Sequence, residues 1–229
     1  MQLTLFNGSP RGRKSNTKIL LNHFCNGFTA NNENEFTIHN LNQTQKIDRH
    51  VEQFKNADHV IIAFPLYTDA MPGIVKHFIE GLSPLCGRAG NPSLGFIVQS
   101  GFPEPIHSRY VERYCEKLAQ RLGCRYSGTA IRGGVEGIQI QPPWMTKKLF
   151  RLFHDLGSQY AAHERMDPGI LKKLAPREKM SAVKRFGFKI MLRTGIGNFY
   201  WNMQLKENGA FERRFEEPYF GENRNQINQ

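Results

Sequence analysis

The segment from Asn7 to Thr17 carries the side chains near the start of the chain that are best suited to binding chemistry. The hydroxyls are those of Ser9, Ser15 and Thr17, Asn16 is an amide donor next to them, and the cations are Arg11, Arg13 and Lys14. A phosphate group is typically bound by backbone N–H groups at a helix N-terminus, by hydroxyl donors and by a nearby cation. The segment therefore predicts a phosphate site. The alternative is an ordinary capped turn, with Ser15 or Asn16 as the N-cap of a helix.

Two common phosphate-binding patterns do not fit this segment. Residues 8–15 match the Walker A pattern except at its second glycine, which lets the backbone curl round the phosphate and is replaced here by Arg13. The third predicted strand ends in Phe64 and Pro65, without an aspartate that would hold magnesium. The GxGxxG pattern is absent from the loop. These departures disfavour a P-loop NTPase and a dinucleotide-binding Rossmann site.

The elements that must position this loop alternate through the first 140 residues or so. Apolar or β-rich runs predict five strands, at residues 3–6, 36–38, 60–64, 94–98 and 125–131, and amphipathic segments predict helices between them. Such alternation implies right-handed βαβ units and a parallel sheet covered by helices on both faces. Five strands fit the order 2-1-3-4-5, in which ligands bind at the carboxyl ends of the strands. The loops that begin at Asn7, Pro65 and Ser100 are therefore expected to carry the site.

Two of these loops resemble those of flavodoxin-like NAD(P)H-dependent FMN reductases. The first carries GSPR followed by SNT, and the second carries Pro-Leu-Tyr, then Met-Pro and Lys76. The resemblance covers about residues 1–140 and implies a flavodoxin-like α/β fold with FMN as cofactor and NAD(P)H as co-substrate. It also implies which residues of the first loop hold the FMN phosphate: Ser9, Arg11, Ser15, Asn16 and Thr17.

The other two loops are expected to line the flavin ring. An isoalloxazine needs flat apolar contact and hydrogen bonds to its polar edge. In the second loop, Tyr67 and Met71 supply the contact, and backbone N–H groups from Leu66 to Asp69 supply the bonds. The residues assigned to the ring are Pro65, Leu66, Tyr67, Thr68, Asp69, Met71, Ser100, Gly101 and Phe102. The alternatives are a proline-bounded turn after strand 3, and a plain turn after strand 4 with Phe102 in the core.

The cysteines do not indicate a metal or a disulfide framework. A related branch, the iron–sulfur flavoproteins, carries a compact cysteine motif after the second flavin loop, where this chain has only Cys86. None of the four cysteines forms a CxxC pair or has a histidine at metal-ligand spacing. We expect no cluster, no metal site and buried free thiols.

The excess positive charge is unevenly distributed. The 229 residues have a formal net charge of +11, of which residues 1–141 account for +4 and residues 142–229 for +7. We expect a flavodoxin-like FMN-binding domain at 1–141 and a basic, helical extension at 142–229. Helices are expected at about 149–160, after Asp167, and from Pro176 to about Thr194. The last of these has apolar residues on two sides, which favours contact with another subunit or a lid over the flavin; plain packing, an anionic membrane and nucleic acid are alternatives.

Composition and the N-terminal sequence indicate whether the chain is folded and in which compartment it is expected. With 39% hydrophobic and 11% aromatic residues, the chain is too apolar to be disordered. No apolar run approaches the roughly 20 residues of a membrane span. The first residues lack the order of charges and the cleavage site of a signal peptide. We therefore expect a cytoplasmic protein.

The combined expectation is an FMN-dependent NAD(P)H oxidoreductase that passes electrons, by ping-pong hydride transfer, to a small-molecule acceptor. A quinone, a nitroaromatic compound or free flavin would serve as acceptor, and Arg13 and Lys14 could favour NADPH over NADH. We expect a homo-oligomer, with nucleic acid an unlikely partner. Alternatives are a non-enzymatic, flavodoxin-like electron carrier and a nucleic-acid or anionic-surface binder on a degenerate flavodoxin scaffold.

Overall fold

The structure, a computed structural model, describes residues 1–30, 33–88, 90–176, 179, 181–194 and 198–216. Contacts divide the chain into two compact units, Met1–Lys179 and Met180–Gln229. The domain boundary expected after residue 141 stays a prediction. The first unit nevertheless includes two helices beyond that boundary, because their apolar faces pack in the same core as the sheet.

The first unit is built on a five-stranded parallel sheet in the order β2-β1-β3-β4-β5, as the sequence predicts. The strands are β1 (Gln2–Asn7), β2 (Glu35–Asn40), β3 (His59–Pro65), β4 (Ser93–Gln99) and β5 (Tyr126–Arg132). The central strands β3 and β4 are almost continuously apolar because helices cover both of their faces. Strand β2 lies at an edge of the sheet, and its residues are exposed or half-buried.

Helices form a layer on each face of the sheet. The helices of the first unit are α1 (Asn16–Phe28), α2 (Ile47–Lys55), α3 (Gly73–Gly81), α4 (Ile106–Leu122), α5 (Pro143–His163) and α6 (Pro168–Leu174). Phe54, Phe78 and Cys115 bring α2, α3 and α4 into the core on one face. Phe24 and Phe153 bring α1 and α5 into the core on the other face, which also holds residues of α6.

Two glycines let α1 and α5 approach more closely than side chains would permit. A Cβ atom on Gly27 would lie 1.8 Å from the carbonyl oxygen of His154, and one on Gly157 would lie 1.9 Å from that of Phe24. Both neighbours are backbone atoms, so the helices would have to move apart to admit a methyl group. The contact fixes α1, whose N-terminus faces the candidate site, against the helix that follows β5.

The ends of several helices follow from local sequence. Ser15 is the N-cap of α1, since its Oγ accepts a hydrogen bond from Lys18 N at 3.1 Å. Asp167 caps α6 through Ile170 N at 2.8 Å, with Pro168 at the first helical position. Gly123 ends α4 in the left-handed conformation, with φ of 75°. The helix starts at Ser15 and Asp167 are those that the sequence analysis gives, and a glycine in the position of Gly123 commonly ends a helix.

The second unit contains two described helices, α7 (Ala182–Arg193) and α8 (Phe199–Glu207). The helix expected to begin at Pro176 is shorter than predicted: Pro176 is not helical, and the carbonyl of Ser181 accepts the first bond of α7, from Arg185 N. Helix α8 was not expected from the sequence. Large apolar side chains on both helices are exposed: Val183, Phe186, Phe188, Ile190, Phe199 and Trp201.

The cysteines are mostly buried, as expected. Cys25, Cys115 and Cys124 are buried, whereas Cys86 is exposed, contrary to the expectation for a buried thiol. Burial raises the pKa of the Cys25 thiol to about 12 and that of Cys124 to about 12, so both remain protonated at neutral pH. Among the described residues, none of the helices is long and apolar enough to cross a membrane.

Candidate functional site

The candidate site lies at the edge of the sheet where the parallel strands end. Asn7 at the end of β1 is opposite both Asn40 of β2 and Ala63 of β3, and Gln99 of β4 is opposite Pro65. The following loops therefore start at nearly the same level. This register brings together the three loops that the sequence singles out.

Asn7 holds the first loop against the sheet. Its side chain is fully buried and forms three hydrogen bonds: Nδ2 donates to Gly12 O at 2.9 Å and to Asn40 Oδ1 at 3.0 Å, and Oδ1 accepts from Ser9 N at 3.2 Å. These bonds fold residues 8–14 into a tight arc that includes a short 3-10 helix at Gly12–Lys14. In the sequence, Asn7 marks only the start of the loop, although a polar residue at the end of a buried strand is itself a signal of a structural or binding role.

The N-terminus of α1 provides the anion-binding geometry. The first intrahelical bond runs from Ile19 N to Ser15 O, so the amides of Asn16 and Thr17 precede it and face the loop. Ser15 Oγ donates to Gly12 O at 2.7 Å and caps the helix, which confirms the capped-turn interpretation for this one residue. The cap is compatible with a phosphate site, because helix amides remain as donors.

Side-chain hydrogen bonds connect this helix end to the last residue of β4 and to the loop after β5. Asn16 Nδ2 donates to Val135 O at 3.0 Å, and Gln139 Nε2 donates to Asn16 Oδ1 at 3.0 Å. Gln99 Nε2 donates to Thr17 Oγ1 at 3.2 Å, which leaves the hydroxyl proton of Thr17 for another acceptor. The Asn16 amide is thus used within the protein, whereas the Thr17 hydroxyl retains a donor.

Arg11 is the cation of the first loop that is tied to the rest of the site. Its Nη2 lies 3.6 Å from Oε1 of Glu136, on the loop after β5, and the Arg11 side chain is 44% exposed. Both side chains are partly exposed. The Arg11 guanidinium can therefore turn toward an anion at the helix end, and the Glu136 carboxylate then keeps its contact with water. Glu136 was not predicted, because nothing in its local sequence distinguishes it from a surface acid.

The second loop is a tight turn with uncommon backbone angles. Tyr67 N donates to Ala70 O at 2.8 Å, and Ala70 N donates to Tyr67 O at 3.0 Å. Between them, Thr68 and Asp69 have φ values of 49° and 58°, a left-handed conformation that a β-branched residue seldom adopts. Leu66 N donates to Gln99 O, and Tyr67 N is already bonded within the turn. The backbone amides of this loop that remain as expected ligand donors are those of Thr68 and Asp69.

The third loop is held by the loop that follows β5. Ser100 Oγ donates to Phe102 O at 3.0 Å, and Gly134 N donates to the same carbonyl at 2.9 Å. A Cβ on Gly133 would lie 2.4 Å from Phe102 O, so only glycine permits this approach. Phe102 is 48% exposed, which excludes the alternative in which its ring belongs to the core.

A histidine that the sequence does not single out joins the second and third loops. His107 Nδ1 lies 3.2 Å from Asp69 Oδ1, and its ring stacks on Phe102 with centroids 4.6 Å apart. Glu104 Oε2 lies 4.0 Å from His107 Nε2. His107 is in the first turn of α4, and its role depends on contacts with two other segments that its own sequence position does not reveal.

The structure brings most of the predicted site residues to one edge of the sheet. Ser9, Ser15, Asn16 and Thr17 are buried around the helix end, while Tyr67 and Phe102 expose their rings on the neighbouring loops. Pro65 is the last residue of β3 rather than part of the loop, Ser100 donates to the carbonyl of Phe102, and a ligand contact of Gly101 stays a prediction. Met71 is half-buried and packs against the core, so its contact with a ligand stays a prediction.

Comparisons with known proteins agree with this fold. A family model described as a flavodoxin-like fold matches residues 1–83. An FMN-dependent NADH-azoreductase from Bacillus anthracis superposes with a TM-score of 0.54 at 14% identity, covering 70% of this chain and 100% of its own. An NAD(P)H:quinone oxidoreductase from Methanothermobacter marburgensis gives 0.55 at 13% identity, covering 69% and 98%. An NADPH-quinone reductase from P. pentosaceus gives 0.52 at 16% identity, covering 71% and 99%.

The sheet order and these comparisons place this chain among proteins with a flavodoxin-like fold. At these identities the likeness establishes the fold. No curated protein matches the sequence.

Proposed function

We propose that the chain binds FMN non-covalently and acts as an NAD(P)H-dependent oxidoreductase. The observation that carries this proposal is that a helix N-terminus rich in donors and two exposed aromatic rings share one edge of the sheet. Solved neighbours with this fold include an FMN-dependent NADH-azoreductase and an NAD(P)H:quinone oxidoreductase, which supports the choice of cofactor and reaction. Electron transfer to a quinone, a nitroaromatic compound or free flavin, in a ping-pong sequence, is part of the proposal.

The donor set fits the phosphate of FMN. The first-turn amides of α1, the Thr17 hydroxyl and the Arg11 guanidinium together supply neutral donors, the positive end of a helix dipole and one mobile cation. Ser9 is buried beside them and supplies a further hydroxyl. Ser15 and Asn16 position the helix end through bonds to Gly12 and Val135, rather than reserving those polar groups for a ligand.

The second and third loops fit a planar ring with a polar edge. Tyr67 and Phe102 expose aromatic surface, and the amides of Thr68 and Asp69 are donors at the tip of the turn. The stack of His107 on Phe102 and the contact of His107 with Asp69 would hold the two loops at a fixed separation. These side chains would orient the ring and exclude water from one part of it. The chemistry that the cofactor supplies when bound is hydride acceptance from NAD(P)H and electron delivery to an acceptor.

The test is to purify the chain, add FMN, remove unbound cofactor and record the visible spectrum. We expect stoichiometric FMN, bleaching on anaerobic addition of NADPH or NADH, and steady nicotinamide oxidation once a quinone is supplied. A protein that does not retain FMN contradicts the proposal. Retention of FMN without nicotinamide oxidation contradicts the reductase assignment and favours the electron carrier.

Two variants separate the phosphate site from the ring site. Arg11→Gln should weaken FMN binding by about tenfold, since a charge-assisted bond contributes roughly 1.5–3 kcal/mol, and should leave riboflavin binding unchanged. Tyr67→Ala should weaken FMN and riboflavin binding alike. Lys117→Gln, which removes an exposed cation from α4, is the charge-matched control. An equal effect of Arg11→Gln on both flavins would place the phosphate elsewhere.

A further inference from the structure

A second polar cleft lies beside the first loop, between the edge strand β2 and helix α2. Its volume is about 180 Å³. Arg13 contributes from the 3-10 helix of the first loop, His39 from β2, and Lys46, Arg49, His50 and Gln53 from α2 and the turn before it. Three separate segments of the chain therefore converge on one small volume.

The cleft is strongly and one-sidedly basic. Of the nine residues that line it, three are permanent cations, two are histidines and none is acidic. The cations Arg13, Lys46 and Arg49 form no ion pair with a carboxylate in the described part of the chain. Elsewhere on the same unit, by contrast, Lys55 and Lys76 pair with acids on their own helices. Like charges that converge without a counter-charge raise the energy of the site unless an anion is bound.

A buried and incompletely bonded histidine lies in the wall of the cleft. His50 is only 3% exposed; its Nδ1 lies 3.2 Å from Gln53 Oε1, while its Nε2 is buried without a hydrogen-bond partner in the described structure. A buried polar atom without a partner is destabilising, because it has lost its hydrogen bonds to water without replacing them. Burial is the main cause that lowers the pKa of His39 to about 4, and the nearby His50 and Arg49 lower it in the same direction. The rings of His39 and His50 lie 5.9 Å apart.

We propose that this cleft binds the dianionic phosphate group of a small phosphorylated ligand, at a site separate from the loop assigned to FMN. Guanidinium and ammonium groups together offer charge-assisted donors of the kind that phosphate oxygens accept. Gln53 adds a neutral polar group. The proposal does not depend on FMN, because the two sites use different cations: Arg11 faces Glu136, whereas Arg13 lines the cleft.

The cleft and the first loop share a structural connection. Asn40 lines the cleft, and its Oδ1 accepts from Asn7 Nδ2, which also donates to Gly12 O in the first loop. Arg13 follows Gly12 directly. An anion in the cleft would therefore order the segment that forms the outer wall of the proposed FMN phosphate site.

The test is calorimetric titration of the full-length protein at low salt with three probes. Each titration is carried out twice, once with protein saturated with FMN and once with FMN-free protein. The probes are inorganic phosphate, 5′-AMP and 2′,5′-ADP, the last carrying the phosphate that distinguishes NADPH from NADH. We expect saturable binding that Lys46→Gln and Arg49→Gln each weaken by about tenfold and that Lys117→Gln leaves unchanged. Lys46 and Arg49 are exposed, so neither substitution disturbs the core.

The three probes also identify the source of the phosphate. Binding of 2′,5′-ADP at least tenfold tighter than that of the other two assigns the cleft to a nucleotide co-substrate, and equal affinities assign it to free phosphate or another small ester. Bound phosphate should also raise the pKa of His39, measured by proton NMR, because an anion favours the imidazolium. The proposal is overturned if none of the three probes binds. It is also overturned if Lys117→Gln lowers their affinity as much as Lys46→Gln and Arg49→Gln do, or if Arg11→Gln abolishes binding and Arg49→Gln does not.

Discussion

Replacing Asn7 by alanine tests whether one buried amide holds the first loop in its binding conformation. The change removes three hydrogen bonds, to Gly12 O, from Ser9 N and to Asn40 Oδ1. At a net contribution of about 0.5–1.5 kcal/mol each, the free energy of unfolding should fall by roughly 2–4 kcal/mol. For a chain of this size, that corresponds to a decrease in Tm of roughly 5–15 °C.

The loss of stability should be accompanied by a loss of FMN affinity. Residues 8–14 would no longer be tied to the sheet, so cofactor binding would have to order them. We expect the Kd for FMN to rise at least tenfold, equivalent to about 1.4 kcal/mol. Urea unfolding of the cofactor-free protein measures the first effect, and fluorescence titration with FMN measures the second.

Asn91→Ala is the matched control at the opposite edge of the sheet. Asn91 precedes β4, and its side chain likewise donates to two backbone carbonyls, those of Leu85 and Leu122. Its replacement should lower stability and leave the Kd for FMN unchanged. If Asn7→Ala lowered stability without changing the Kd, or if both variants changed the Kd equally, the reasoning that links Asn7 to the cofactor loop would be wrong.

Two further predictions concern packing and pH. Gly157→Ala should reduce the free energy of unfolding by about 1–3 kcal/mol, because its methyl group would collide with the carbonyl of Phe24. Gly187→Ala in α7 is the control and should not be destabilising, because the space around Gly187 is open. Urea unfolding of both variants measures the two effects. The pKa of His39 is about 4 in the folded chain and 6.5 in the unfolded chain, so the unfolded state binds more protons between these values and stability should fall as pH drops from about 6.5 to 4. His39→Gln should flatten that dependence in phosphate-free buffer, and an unchanged urea midpoint profile would refute the assignment.

The sheet and its order could be predicted because they depend on local patterns and on a few general rules. Each strand is a short apolar run, each helix has one apolar face, and right-handed crossovers leave few arrangements of five strands. The helix ends at Ser15, Gly123 and Asp167 also depend on their immediate neighbours alone. Helix α8 escaped prediction because its apolar residues are spread around the helix rather than gathered on one face: Phe199, Tyr200, Trp201, Met203 and Leu205.

The contacts within the site could not be predicted in the same way. Arg11 meets Glu136, Asn16 meets Val135, and both pairs are separated by more than a hundred residues. Only the register of the strands brings the loops after β1 and β5 together. His107 is a similar case, since it looks like one surface histidine among several until Asp69 and Phe102 are placed beside it.

The net charge of the chain, like the contacts within the site, does not show which charged groups lie next to each other. A value of +11 cannot distinguish cations that are already neutralised from cations that have no counter-charge, although only the second kind attract a ligand strongly. Arg125 Nη2 lies 2.7 Å from Glu164 Oε2, so replacing Arg125 would mainly remove the counter-charge of Glu164. Arg13 and Arg49 have no such partner among the described carboxylates and lie around one cleft. Removal of either cation from the unliganded protein should therefore relieve repulsion, and its cost should appear only when an anion is present.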